Sequence, residues 1–371
     1  MSIDAVAPVV TAGLTSLAVA AALTEPMRRV ALRLNLTDRP AAHKAHLRAT
    51  PYLGGVAVAV ATFVPATFLL RHWDARLVTL ALGGLLIAVL GLVDDVRSLH
   101  PLSRLGVETA VAALLAAAGT RIDIIGPAWT DAVVTVVWLV VMTNSFNLLD
   151  NSDGAAGSIA AATGVALAVY ALVNGRPGVA VLLAGLAAGA GGFLSQNWPP
   201  ARIFMGDTGS LFIGFMIGGS AVALVGSSGG TFQVGAALLL VTFVATVDTT
   251  LVVVSRVRAG RRWLDGGTDH IAHRLRRLGF SRPQVPATLA VLALASTALG
   301  LLAASGALPV PTVLITTLAA GAAAIWWLLR VPVYPQPASD VADGATLVAI
   351  VDPAVDLGPD GVLSPAQAPV A

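Results

Sequence analysis

Five aspartates carry the clearest chemical signal in this sequence. Asp94 and Asp95 are adjacent in GLVDDVRSLHPLSRL, Asp150 and Asp153 lie three apart in NSFNLLDNSDGAAG, and Asp207 stands in IFMGDTGS. Each falls at an end of an apolar run, where a lone Asp would simply cap the next helix. Five together are another matter, because like carboxylates at a low-dielectric boundary repel one another unless a cation or a bound substrate compensates. The chain holds no Cys and only 6 His, and an oxygen-rich donor set of that kind suits Mg²⁺ or Mn²⁺. Asp150 and Asp153 share a face if that stretch is helical. Asp94 and Asp95 cannot, so one is expected to reach the metal and the other to act as base or supporting partner.

Groups suited to phosphate lie around these acids. Gly54 and Gly55 in TPYLGG, and Gly206 and Gly209 in GDTGS, allow close backbone approach to an anion, and the Asp207 segment opens a helix whose N–H groups and hydroxyls favour one. Cations are expected from His43, Lys44, His46 and Arg48 in one loop and from His270, His273 and Arg274 in another. Lys44 is the only lysine beside 21 arginines. His270 and His273 lack a third ligand at zinc spacing, Asp265 and Asp269 being badly placed for one. The basic run through Arg274, Arg276 and Arg277 also reads as a surface helix on anionic lipid. Two acids lie inside apolar runs: Glu108 is spaced to pair with Arg104, and Asp248 sits deep, where an unpartnered acid is costly.

The elements that must position these residues are membrane spans. Of 371 residues, 56% are hydrophobic and 11% charged, against about 25% charged in a soluble domain, which excludes a soluble globule. Runs of spanning length lie near 5–24, 52–70, 77–93, 105–119, 132–149, 155–173, 179–195, 209–226, 233–254, 286–304 and 312–329. The expected fold is therefore all-α and polytopic, with eleven transmembrane helices, or ten given the short runs. The first run has no basic residue ahead of it and reads as an uncleaved span. With the amino end outside, 18 Lys and Arg fall on one side and Arg71, Arg76, Arg121 and Arg176 on the other. That makes the 18-residue side, and the acids with it, cytoplasmic. Residues 1–330 read as the catalytic domain. Residues 331–371, with seven Pro and five Asp, read as a disordered tail. The net charge of +2 mostly reflects loop arginines and points to no nucleic acid.

At this point the motifs become recognisable. DDVRSLHPLSRL, NSFNLLDNSDGAAG, GFLSQNWPPARIFMGDTGSL, DTTLVVVSR and DHIAHRLRRLGFS occur in the order and on the side seen in the polyprenyl-phosphate N-acetylhexosamine-1-phosphate transferases. Upstream, HKAHLRATPYLGG resembles their first cytoplasmic motif, so the likeness runs from about Asp38 to Ser281. It implies Mg²⁺-dependent transfer of a sugar-1-phosphate from a UDP-N-acetylhexosamine to a polyprenyl phosphate, with release of UMP, at the inner face of the plasma membrane. The product would be the first lipid-linked intermediate of a cell-envelope glycopolymer, and a homodimer would be compatible.

Carried over by position, Asp94 resembles the base toward the lipid phosphate, and Asp95, Asp150 and Asp207 resemble the acids at the metal. Asn147, Asp153, Asn197 and Phe204 resemble residues around the nucleotide, with Phe204 placed to stack on uracil. Lys44, His270 and His273 resemble those near the phosphates, with His46 on the substrate side, while Asp248 resembles an acid whose role stays open. The last loop has Ala272 where the family often has another His. Asn151 and Ala156 stand where Gly and Leu are common. The phospho-N-acetylmuramoyl-pentapeptide branch has three consecutive histidines there, so DHIAHRL looks more like the branch that uses UDP-N-acetylglucosamine. A secondary transporter, the alternative of a different class, would place its acids near the midplane.

Overall fold

Thirteen helices and one two-residue β pairing make up residues 3–38, 49–226, 229–262 and 266–334, the residues described by the computed structural model. In chain order they are α1 (Ile3–Arg33), β1 (Thr37–Asp38), β2 (Thr50–Pro51), α2 (Gly54–Leu69), α3 (Ala75–Val96), α4 (Pro101–Ala117), α5 (Ala128–Leu149), α6 (Ala155–Val173) and α7 (Pro177–Asn197). Then follow α8 (Asp207–Val225), α9 (Thr231–Val241), α10 (Phe243–Arg258), α11 (Ile271–Arg277), α12 (Gln284–Ala304) and α13 (Val310–Leu328). The architecture is the all-α, polytopic one that the apolar runs require. Lys44, His46, Asp265 and the tail beyond Tyr334 lie outside the described residues.

Each apolar run becomes helical, but they are not eleven equal spans. Eight helices are long and apolar enough to cross a hydrocarbon layer, or nine if α9 and α10 count as one broken span. α2 has only 16 residues, and α4, with 17, carries Arg104 and Glu108. The run read as 233–254 splits into α9 and α10, whose axes differ by 76°. Thr242 sits at the break, its hydroxyl donating to the Leu238 carbonyl at 2.9 Å while its own carbonyl accepts from the Thr246 hydroxyl at 3.0 Å. These bonds keep the polar groups of the break satisfied inside the protein.

α8 is the axis of the molecule, with 94% of its most apolar 18-residue stretch buried. It packs against α3, α5 and α2, and small residues permit the approach: a Cβ at Gly214 would lie 2.8 Å from the Thr143 Cα of α5. Close contact through small residues is how helices associate where lipid is as apolar as leucine. At the rim, only 11% of the most apolar stretch of α13 is buried, and Leu14 and Phe68 are 65% and 85% exposed. An apolar surface of that extent is at home only against acyl chains.

β1 and β2 pair antiparallel, Thr37 opposite Pro51 and Asp38 opposite Thr50. This clips the segment leading into α2. Tyr52 then bridges Phe204 in parallel fashion, which brings the start of α2 to the start of α8.

Candidate active site

The cluster is built from the C-terminal ends of α3 and α5 and the N-terminal ends of α4 and α8. Helices ending and beginning at one level place polar side chains there without burying them in the apolar middle. Gly91 makes the α3–α8 crossing possible, since a Cβ there would meet the Asp207 carbonyl oxygen at 2.4 Å.

Asp95 is spent on holding α8 in place. Its Oδ1 accepts the Asp207 N–H at 2.8 Å, and its Oδ2 accepts the Thr208 N–H at 3.0 Å and the Thr208 hydroxyl at 2.6 Å. A carboxylate from another helix thus caps the first turn of α8, where orphan N–H groups and the helix dipole favour negative charge. Gly206 precedes this turn with φ +75°, and a Cβ there would lie 2.7 Å from the Asp95 carboxylate.

Asp94 turns the other way. Its Oδ1 accepts the Leu99 N–H at 2.6 Å, and its Oδ2 accepts from Arg104 Nη1 at 3.0 Å. The same Nη1 reaches Asp207 Oδ2 at 3.1 Å, and Nη2 lies 3.4 Å from Asn144 Oδ1. The expected Arg104–Glu108 pair is present at 3.6 Å, but Glu108 is only 2% exposed and receives the Asn144 amide. Glu108 therefore backs Arg104 from inside the protein instead of lying at the interface.

Asp207 receives Asn147 Nδ2 on its other oxygen at 2.7 Å, and Asn147 also donates to the Ser210 hydroxyl at 3.0 Å. With 33% of its side chain exposed against 9% for Asp94, Asp207 is the more open to a ligand. Asp150 ends α5 and accepts the Gly206 N–H. Burial, reinforced by the carboxylates of Asp207, Asp95 and Asp153, pushes its pKa up to about 7. That mutual repulsion is the field a divalent cation would relieve. Among the described residues no three Asp, Glu or His side chains form a ready-made cation cage. Mg²⁺ does not require one, since it keeps several waters and takes one or two carboxylates together with substrate phosphates. The carboxylates of Asp207 and Asp150 fit it, with the Asn147 amide holding one Asp207 oxygen in place.

The glycines expected to cradle an anion serve packing. The N–H groups of Gly54 and Gly55 donate to the carbonyls of Phe204 and Met205 at 3.0 and 2.8 Å, and those of Gly209 and Ser210 donate back to Gly206 at 3.1 Å. A Cβ on Gly55 would sit 2.1 Å from the Gly209 nitrogen. These amides are used inside the protein and are not free to cradle an anion.

Asn197 and Asp153 brace the loops. Asn197 accepts the Gly154 N–H and donates to the Ile203 carbonyl, each at 2.9 Å, and Asp153 accepts the Ala201 N–H at 2.9 Å. They shape the loop that carries half-buried Phe204, whose N–H donates to the Pro51 carbonyl at 2.8 Å.

His270 and His273 belong to a second cluster around α11, with ring centroids 6.2 Å apart. Asp248 and Asp269 are buried with them, the latter paired to Arg256 at 2.8 Å. Arg274, read as part of a lipid-facing basic helix, is instead 1% exposed. It donates to the carbonyls of Asp269, Leu328 and Val331 and to the Ser255 hydroxyl. Burial and the neighbouring His270 hold His273 down, at about 4.

Asn144 was not singled out from the sequence, and Arg104 was read there only as the partner of Glu108. The available signal was position, since Arg104 lies within DDVRSLHPLSRL one turn into a helix opened by Pro101.

Residues 77–225 match the model of a family described as glycosyl transferase family 4. A Streptomyces coelicolor protein with a glycosyltransferase name is 38% identical over 325 residues, 85% of this chain and 74% of the relative. A Bacillus subtilis protein named as an undecaprenyl-phosphate N-acetylglucosaminyl 1-phosphate transferase is 29% identical over 284 residues, 74% of this chain and 78% of the relative. A decaprenyl-phosphate N-acetylglucosaminephosphotransferase of Mycolicibacterium smegmatis is 29% identical over 306 residues, 72% of this chain and 75% of the relative.

Proposed function

We propose, from the premise that the chain belongs to glycosyl transferase family 4, that it transfers N-acetylglucosamine-1-phosphate from the UDP-sugar to a polyprenyl phosphate at the cytoplasmic face of the membrane. The lipid-linked product would begin a cell-envelope glycopolymer. A phosphate oxygen of the lipid attacks the sugar-bearing phosphorus of the UDP-sugar, a new P–O bond forms, and the bond to the bridging oxygen breaks so that UMP leaves. The obstacle is the meeting of two anions, which positioned positive charge overcomes.

The observation that carries this reading is the convergence of four helix ends on Asp207, with Arg104, Asn147 and the paired Asp94 and Asp95 around it. Asp207 and Asp150 would hold Mg²⁺, which when bound neutralises phosphate oxygens and eases departure of UMP, while the Asn147 amide orients Asp207. Asp95 fixes the helix that presents Asp207. Asp94 keeps Arg104 aimed into the site and, in this reading, takes a proton from the lipid phosphate. Phe204 offers the face for uracil, and Lys44, His46, His270 and His273 supply the contacts to phosphates.

The test uses the purified full chain in detergent with Mg²⁺, decaprenyl phosphate and a panel of UDP-sugars. UMP release with a lipid-linked product from UDP-N-acetylglucosamine is expected. No product from any UDP-N-acetylhexosamine would overturn the reading.

A further inference from the structure

Asp248 lies in α10, 1% exposed, and both of its oxygens are committed to one neighbouring turn. Oδ2 meets His270 Nδ1 at 2.8 Å, and Oδ1 accepts the Ile271 backbone N–H at 2.7 Å. The His270 ring and the start of α11 are therefore held by a single carboxylate. Eight residues further along α10, Arg256 grips Asp269 through two hydrogen bonds, 2.8 and 3.0 Å. The turn carrying His270 is thus bolted to α10 at two points.

The other ring nitrogen has been left open. His270 Nε2 has no hydrogen-bond partner among the described residues and is not fully enclosed, although the residue as a whole is only 3% exposed. The nearest acid oxygen, Asp269 Oδ1, is 3.9 Å away and already bonded to Arg256. A nearly buried ring with one nitrogen held by a carboxylate and the other unbonded is how an imidazole is prepared to act through one atom.

The geometry points to Asp248 as the positioning residue of this site, resting on the reaction proposed above: it fixes His270 in the Nδ1–H form and so makes Nε2 the only ring position that exchanges hydrogen bonds or a proton with a substrate phosphate. A carboxylate only accepts hydrogen bonds, so Nδ1 must be the donor in both protonation states of the ring. The charged and titratable groups facing His270 are Asp248 and Arg256 from α10, Asp269 from the preceding loop and His273 from α11.

The experiment is ¹⁵N NMR of the histidine-labelled full chain in detergent, with the His270 signal among six histidines identified by its loss in H270Q. In the wild type at alkaline pH, Nδ1 should carry the proton. In Asp248→Asn, whose amide can keep the Ile271 bond while donating to Nδ1, the proton should move to Nε2. Kinetically, D248N should lower kcat on the order of 10²-fold, leave KM for the UDP-sugar within about twofold, and cost nothing further in an H270N background. A proton on Nε2 in the wild type, an unchanged kcat in D248N, or costs that multiply in the double variant would each overturn the assignment. Should no UDP-sugar be turned over, the proposed reaction falls, while the wild-type spectrum still decides for or against the Asp248–His270 lock.

Discussion

The guanidinium of Arg104 lies between two carboxylates from different helices, its Nη1 3.0 Å from Asp94 Oδ2 and 3.1 Å from Asp207 Oδ2. Removing it leaves Asp94, Asp207 and Glu108 facing one another without a counter-charge. Arg104→Ala is expected to cost about 2 kcal/mol of stability and to abolish measurable turnover. Arg104→Lys should recover part of the stability but little of the activity, because a point charge cannot replace a planar fork that also reaches Asn144. Melting temperature and UMP release, measured on the same preparations, check both statements.

Asp95 caps α8, and in the proposed reaction Asp207 binds the ligand. Asp95→Asn cannot accept all three bonds offered by Asp207 and Thr208, and should lower stability by about 1–2 kcal/mol. Asp207→Asn should leave stability close to the wild type while abolishing UMP release and the thermal shift produced by Mg²⁺ without substrates. Equal losses of stability in the two variants would contradict this division.

His273 gives a pH dependence of definite sign. Held at about 4 in the folded chain, it stays neutral while the same residue in the unfolded chain takes up a proton near pH ~6.5. Stability from this source is complete above that pH and declines as the pH falls toward about 4, with a slope of at most ~1.4 kcal/mol per unit. His273→Gln should flatten the melting-temperature profile across that window. Parallel profiles for variant and wild type would show that another group is responsible.

Gly55→Ala should break the contact between α2 and α8, because the new Cβ would lie 2.1 Å from a backbone nitrogen that cannot move aside. A loss of about 3 kcal/mol is expected from overpacking, with activity lost and membrane insertion retained. Gly13→Ala, which meets nothing within 4 Å, is the control and should be silent in the same assays.

How much of this was legible in the sequence follows from what each signal measures. Apolar run length found the membrane helices, because a helix in lipid must be continuous and apolar, but not the short basic α11. It could not show that the ninth run breaks at Thr242, since length and polarity carry no sign of a 76° bend. Counting acids at helix ends found Asp94, Asp95, Asp150 and Asp207. Their division of labour is set by contacts across more than a hundred residues, such as Asp95 with Thr208, which no local pattern records. Arg104 looked like half of an ordinary i, i+4 pair, and only the fold shows its guanidinium turned toward Asp94 and Asp207. The paired glycines resembled an anion cradle because the same residue type serves close backbone packing. What distinguishes the two uses is whether their N–H groups are already taken.

Asp207 rides on the most enclosed helix in the molecule, while the lipid is met mainly by helices at the rim. A thicker or thinner bilayer tilts what it touches, so peripheral elements absorb that strain and the spacing of the reactive groups is insulated from it. Turnover should therefore vary little with the acyl-chain length of the host membrane, even where the outer helices change their angle to it.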